Sequence, residues 1–272
     1  MPDRTDSIPD PAASTRFEPA GLTPPDLHPN DALFLDIDGT LLDIAAHPND
    51  VVVPPGLPAL LLALRSNLGG ALAILSGRSM DQVDALMAPA TFAGAGEHGA
   101  VVRTEPEAAL ERLSKPVPQK LVDAVRMNAA DLPAIEIEQK TSAIAVHYRN
   151  APKSELLLGA RLTDVLSHHP GWIIMRGRRV YDIVPMHVRK GGTLALLCSR
   201  PPFRGRRPVM IGDDVTDVSA FEAASERGGY GLSVASNLFA PSEAHFPNPA
   251  AVRNWLQQMA DLLAAGSSRL SA

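Results

Sequence analysis

A single cysteine, Cys198, excludes an internal disulfide, so nothing in the chain calls for an oxidising compartment. A basic surplus is also missing: 25 Lys and Arg stand against 30 Asp and Glu, for a formal charge of -5. Non-specific binding to nucleic acid needs clustered positive charge and is not expected, and an anionic ligand would need locally placed cations. Long apolar runs are absent. The runs Leu57 to Leu64 and Leu72 to Leu75 fall well short of the roughly 20 residues that span a bilayer, so no membrane role is expected. Residues 1–30 have neither the basic start nor the apolar centre of a secretory signal; rich in Pro, Asp, Ser and Thr, they read as a disordered tail, and residues 266–272 as a second one. These absences lead to the expectation of a soluble, cytoplasmic protein, with nothing that points to a particular oligomeric state.

What is present is a chain of 272 residues, 45% of them hydrophobic, enough to bury a substantial core. From residue 31 short apolar runs alternate with helical stretches. Ala32 to Leu35, Ala71 to Leu75 and Pro208 to Ile211 read as buried strands; Leu57 to Arg65 and a stretch around Ser219 to Ala224 read as helices. Ser79-Met80-Asp81-Gln82 has the form of a capping box that opens a further helix. Alternation of this kind implies a parallel sheet covered by helices on both faces. Between the two blocks the pattern changes. Val117 to Ala130 and Glu155 to Leu166 read as helices, while Ile135 to Arg149 and Trp172 to Val184 alternate with period two. That order predicts an antiparallel sheet with helices on one face, and hence an inserted α+β domain over 109–186 between core segments 31–108 and 187–265.

Asp36 and Asp38, in the stretch DIDGT, follow the first strand. A calcium loop is excluded, because Leu41 and His47 stand where its sixth and twelfth positions need Gly and Glu. A solvated acidic turn is the plain alternative. A strand ending at Asp36 puts that carboxylate at the carboxyl edge of the sheet, where open α/β folds build their sites, and Gly39 lets Asp38 curl back beside it. Asp36 could then attack phosphorus, with Asp38 protonating the leaving oxygen and later activating water.

A carboxylate that faces a phosphate dianion requires neutralisation, and the chain offers candidates. Ser76-Gly77-Arg78 lies between the second strand and the Ser79 helix, where a hydroxyl and amides can bind phosphate. Lys190 precedes Gly191-Gly192 where the chain re-enters the core. Asp213, Asp214 and Asp217 follow the Pro208 strand and offer the oxygen ligands that Mg2+ prefers. Gly94 to Gly99 fits G-x-G-x-x-G, but Ala100 to Arg103 reads as a strand rather than a helix, so it is taken as a turn at the sheet edge that leaves His98 facing the site. No Gly-x-x-x-x-Gly-Lys loop occurs.

The ordered set DIDGTLLD, SGR, RKGG and GDDVTD resembles the haloacid dehalogenase superfamily of aspartyl-phosphate phosphatases, over nearly everything from residue 31 onward. The resemblance implies a Rossmann-like parallel-sheet core with an inserted cap. It also implies Asp36 as nucleophile, Asp38 as general acid and base, and Ser76, Gly77 and Lys190 as phosphate ligands. Mg2+ would be held by Asp213, the Asp36 carboxylate and the Asp38 carbonyl, with Asp214 and Asp217 assisting. Within the superfamily, GEHGA, IEQKTSAIAVHYR and GDDVTD resemble the trehalose-6-phosphate phosphatases of trehalose biosynthesis. Period-two counting puts Glu136, Glu138 and Lys140 on one strand face, able to bond sugar hydroxyls. The family pattern adds His147, Tyr148 and Arg149, and sets Arg178 and Asp182 where a lysine and a glutamate are usual; His98 completes the expected sugar contacts. Val101 and Val218 stand where the family has glutamates. The implied substrate is trehalose 6-phosphate. Sucrose phosphate, mannosylglycerate phosphate or a hexose phosphate, or a silent sugar-phosphate-binding module, are the alternatives.

Overall fold

The computed structural model describes residues 23–45, 50–177 and 179–270. In chain order the elements are β1 (Asp31–Leu35), α1 (Leu57–Asn67), β2 (Leu72–Leu75), α2 (Met80–Met87), β3 (Ala93–Gly96), β4 (Val101–Arg103), β5 (Glu111–Arg112), α3 (Gln119–Ala129), β6 (Glu136–Gln139), β7 (Ile144–His147), α4 (Glu155–Ser167), β8 (Trp172–Gly177), β9 (Val180–Pro185), α5 (Lys190–Cys198), β10 (Arg207–Gly212), α6 (Val215–Ser225), β11 (Tyr230–Ser233) and α7 (Pro249–Leu270).

Seven strands form the first sheet, in the order β11-β10-β1-β2-β3-β4-β5. The five from β11 to β3 run parallel; β4 and β5 turn back antiparallel at the edge. Parallel strands buried on both faces need continuous apolar runs, and β1 (DALFL) and β2 (LAIL) supply them without an exposed position. Alternate side chains go to opposite layers. Leu33, Leu35, Leu72 and Ile74 pack with Leu61 and Leu64 of α1, Val83 of α2 and Leu256 of α7. Phe34, Ala73 and Leu75 pack with Leu194 and Leu197 of α5 and Phe221 of α6. Fully burying a side chain such as Phe34 contributes about 1.5–3 kcal/mol. The expected helices on both faces are therefore present.

The inserted sheet has the order β6-β7-β9-β8, entirely antiparallel. Its Ile144, Val146, Tyr181 and Ile183 pack against Leu121, Val122 and Val125 of α3 and Leu158 and Leu162 of α4. Residues between these, among them Ala145, His147 and Asp182, turn to the other face, as period two requires.

Three expected boundaries shift. Glu111–Arg112 pairs with β4, so the chain leaves the core sheet only after Arg112, past the expected start of the insertion at 109. Leu27, inside the expected disordered tail, is 5% exposed and packs in the core, an apolar anchor among prolines; residues 1–22 lie outside the described residues. The amphipathic pattern of α7 carries it to Leu270, beyond the expected end of the core at 265, with residues 271–272 outside the described residues.

Candidate active site

Strands β1, β2 and β10 lie side by side and end together, which brings Asp36, Ser76 and Asp213 to one edge of the sheet. The turn after β1 folds tightly, with the Gly39 amide donating to the Leu42 carbonyl at 2.8 Å. Gly39 sits at φ +88°, and a Cβ there would fall 2.2 Å from Asp213 Oδ2. Glycine is thus required twice, for the left-handed backbone and for the approach of the Asp213 carboxylate.

Lys190, the first residue of α5, is 3% exposed and donates from Nζ to Asp36 Oδ1 and Asp217 Oδ1, each at 2.6 Å. The other Asp217 oxygen accepts from the Asp213 and Asp214 amides at 3.1 and 3.0 Å. One carboxylate oxygen from each of Asp36, Asp213 and Asp217 lies within 4.8 Å of the others. Three buried carboxylates therefore face one lysine. Burial pushes the Asp36 and Asp213 carboxyls well above the ordinary range; for Asp36 the Lys190 charge opposes the shift while Asp217 and Asp38 add to it, and for Asp213 the neighbouring Asp36 and Asp217 add to it. Lys190, flanked by two carboxylates, stays charged despite burial. Asp213 Oδ1 is buried without a hydrogen-bond partner among the described residues. A cluster of hard oxygen donors with an excess of negative charge and one orphaned oxygen fits a divalent cation such as Mg2+.

Asp38 turns away from this cluster. Its two carboxylate oxygens accept from Arg78 Nε at 2.7 Å and Arg78 Nη2 at 2.6 Å, a two-point ion pair that fixes the carboxylate plane. The pair lies over the Ser76-Gly77-Arg78 loop, where Ser76 Oγ accepts from the Arg78 amide at 3.1 Å. That leaves the Ser76 hydroxyl proton available to a bound oxygen. Asp214 caps α6, its Oδ1 accepting from the Val215 amide at 2.7 Å, and it also lines the cleft.

The inserted sheet covers this edge, and a cleft of about 910 Å3, solvent at its mouth included, separates the two. Glu138, Ala145 and Asp182 sit in register across β6, β7 and β9, so a small residue leaves room between two carboxylates. Lys140 Nζ donates to the Gly77 carbonyl at 2.8 Å and lies 3.8 Å from Asp182 Oδ1. His98 Nε2 lies 3.3 Å from Asp182 Oδ2 without the alignment of a hydrogen bond. Burial alone would raise the Asp182 carboxyl, but His98 and Lys140 outweigh it and hold it at about 2. Glu138 is held below its usual range, chiefly by His147 Nε2 at 3.3 Å, with burial opposing.

Of the expected site residues, Asp36, Asp38, Ser76, Gly77, His98, Glu138, Lys140, His147, Arg149, Asp182, Lys190, Asp213 and Asp214 line this cleft, and Asp217 lies beneath them. Tyr148 instead faces the cap helices: it is buried with Ile144, Val146 and Leu158, and its hydroxyl donates to Glu155 Oε1 at 3.1 Å. Arg178 lies outside the described residues. Glu136, expected on the polar face, is exposed and bonds Asn150. Arg78 and Gln82 are among the lining residues that carried no expected role. Arg78 belonged to the motif SGR, and its planar fork beside two aspartates was the available signal. Gln82 was read only as a helix cap, yet its Nε2 donates to Glu138 Oε1 at 3.0 Å across the cleft; no sequence signal distinguishes that second contact.

Residues 34–247 match the family model described as trehalose-phosphatase. A probable trehalose-phosphate phosphatase of Sinorhizobium fredii is 40% identical over 235 residues, covering 85% of this chain and 88% of that protein. A trehalose-6-phosphate phosphatase of Escherichia coli is 36% identical over 214 residues, covering 77% and 79% respectively. Among solved structures, the C-terminal domain of a Candida albicans trehalose-6-phosphate phosphatase superposes with a TM-score of 0.74 at 22% identity, covering 85% of this chain and 92% of that one. The C-terminal domain of a Candida albicans trehalose synthase regulatory protein also shares the fold, with a TM-score of 0.62 at 15% identity over 85% and 94%.

Proposed function

The chain belongs to the trehalose-phosphatase family, and from that premise we propose that it hydrolyses trehalose 6-phosphate to trehalose and phosphate through an aspartyl phosphate on Asp36. The observation that carries the sugar assignment is the contact of Lys140 Nζ with the Gly77 carbonyl at 2.8 Å, which supports a polar cap face poised directly over the phosphate loop. The α+β insertion acts as a cap, and the two core segments together form the catalytic domain.

The chemistry follows from the chain's own groups. Asp36 attacks phosphorus, the bond to the sugar oxygen breaks, and Asp38 donates a proton to that oxygen as it leaves. Water then attacks the phosphorus of the aspartyl phosphate while Asp38 takes its proton, which returns Asp36 as a carboxylate and frees inorganic phosphate. Lys190 offsets the charge of Asp36 against the incoming dianion, and the Ser76 hydroxyl and loop amides hold the phosphoryl oxygens. The ion pair with Arg78 holds Asp38 as a carboxylate at the mouth of the site, so Asp38 takes up a proton from solvent and leaves Arg78 before it serves as the acid. Asp36, Asp213 and the Asp38 carbonyl would hold Mg2+, with Asp217 fixing Asp213 and Lys190 from behind. When bound, Mg2+ neutralises phosphoryl charge and lowers the barrier of a reaction for which enzymes supply up to about 10^21-fold.

Glu138, Lys140, His147, Arg149 and Asp182, with His98 from the core, are the groups for the sugar hydroxyls, and Arg178 is assigned with them. The C-terminal domain of a trehalose synthase regulatory protein shares this fold, so the fold alone does not discriminate a catalyst from a silent binding module. The presence of Asp36, Asp38, Lys190 and Asp213 together favours catalysis. We also propose a cytoplasmic enzyme without nucleic-acid or membrane partners; among the described residues no helix is long and apolar enough to cross a membrane.

The test is phosphate release from trehalose 6-phosphate, glucose 6-phosphate, sucrose 6-phosphate and an aryl phosphate, in Mg2+ and in EDTA. Strong Mg2+-dependent preference for trehalose 6-phosphate is expected. Equal rates on all four would overturn the sugar assignment, and binding without release would favour the silent module.

A further inference from the structure

Glu97 has no part in the chemistry above, yet its surroundings are unusual. It lies at φ 52° in the turn between β3 and β4, is 3% exposed, and is followed by His98 at φ 60°. Left-handed backbone at two successive residues other than glycine costs free energy that surrounding contacts must offset. Its main chain is stitched to the phosphate loop: the Glu97 amide donates to the Arg78 carbonyl at 2.9 Å and the His98 amide to the Ser76 carbonyl at 3.1 Å. The side chain points the other way, into the cap. There Glu97 Oε2 accepts from the Ser142 amide at 2.5 Å and Oε1 from the Thr141 amide at 3.3 Å, in the turn that joins β6 to β7. Among the described residues no cation lies within ion-pair distance of this carboxylate, so the two cap amides are the groups that satisfy it.

The turn it grips is the one that carries Lys140 to Gly77 and continues into Glu138. The same turn receives the chain as it enters the cap, with the Val117 amide donating to the Thr141 carbonyl at 3.0 Å. One residue therefore joins the phosphate loop by its backbone and the sugar-facing hairpin by its side chain, at the place where the cap is attached.

We propose that Glu97 is a positioning residue that sets the register of the cap hairpin over the phosphate loop, and so fixes where Lys140 and Glu138 meet the sugar. This rests on the reading of the cleft as a sugar-phosphate site, but the clamp itself does not depend on which sugar binds. Charge-assisted bonds from a carboxylate to amides are directional, and a glutamine cannot reproduce them: its amide nitrogen would face one of two N–H donors.

The test is Glu97→Gln, with Glu97→Ala as the harsher variant and the wild-type protein measured alongside. In the wild type the Thr141 and Ser142 amides should exchange hydrogen more slowly than exposed turn amides, and in Glu97→Gln they should lose that protection. The KM for trehalose 6-phosphate should rise roughly ten- to hundredfold, while turnover of an aryl phosphate, which makes no sugar contacts, should stay within about threefold. Free exchange of both amides in the wild type would overturn the proposal without any variant being made. Equal loss on both substrates would make Glu97 a structural residue of the core and overturn it as well. If trehalose 6-phosphate proves not to be a substrate, the sugar assignment fails, and amide exchange in Glu97→Gln still decides the clamp.

Discussion

Replacing Asp213 by asparagine should remove activity and yet make the metal-free protein more stable. The oxygens of Asp36, Asp213 and Asp217 lie within 4.8 Å of one another. At that separation and an effective dielectric constant of about 20, one pair of negative charges repels by about 3.5 kcal/mol. Asp213 meets two such charges, and Lys190, bonded to the other two carboxylates, offsets part of the repulsion. Asp213→Asn should therefore stabilise the protein in EDTA by about 2–4 kcal/mol at pH 8. The pH dependence fixes the cause. Burial and the neighbouring carboxylates raise the Asp213 carboxyl above its ordinary 3.8, so the folded state holds a proton that the unfolded state sheds. The penalty is absent below pH 3.8, grows as pH rises from there toward the shifted value and levels off above it, so the advantage of the variant should vanish near pH 4 and be full in mild alkali. Urea unfolding in EDTA from pH 4 to 9 measures it, and Mg2+ should narrow the gap by stabilising the wild type more. No gain at pH 8, or the same gain at pH 4, would refute the reasoning.

Lys190→Met should do the opposite, leaving Asp36 and Asp217 buried without their cation, at a cost of about 3–5 kcal/mol in urea unfolding at pH 8 and with loss of turnover. Gly39→Ala should strain a backbone at φ +88° by about 1–2 kcal/mol. Its Cβ would push the Asp213 carboxylate by about 1 Å, a displacement that should lower kcat/KM for an aryl phosphate about a hundredfold; wild-type rates in that variant would show the approach to be unimportant.

The core was legible in the sequence because its strands are buried on both faces and end in chemistry. DALFL and LAIL can hardly be anything but central strands, and Asp36, Ser76 and Asp213 follow such strands directly. The cap strands were legible by alternation, since Ile144 and Val146 need α3 and α4 while Ala145 and His147 do not. Boundaries were less so. The two-residue β5 has both side chains exposed and therefore no hydrophobic signature, and Leu27 is one apolar residue among prolines. Contacts between residues far apart in the chain were least legible: Arg78 to Asp38 depends on how the turns after β1 and β2 meet, and Glu97 to Ser142 and Gln82 to Glu138 on how the cap docks.

Gln82 shows what such docking asks of a residue that looks locally determined. Its Oε1 accepts from the Ser79 amide at 3.0 Å and its own amide donates to Ser79 Oγ at 3.2 Å, closing the box that opens α2. For that purpose glutamate serves as well as glutamine. Its other end, the Nε2 that meets Glu138, must be a donor, and a glutamate there would set two carboxylates against each other whenever the domains meet. The helix accepts either residue; the choice between them is made by a partner 56 positions along the chain.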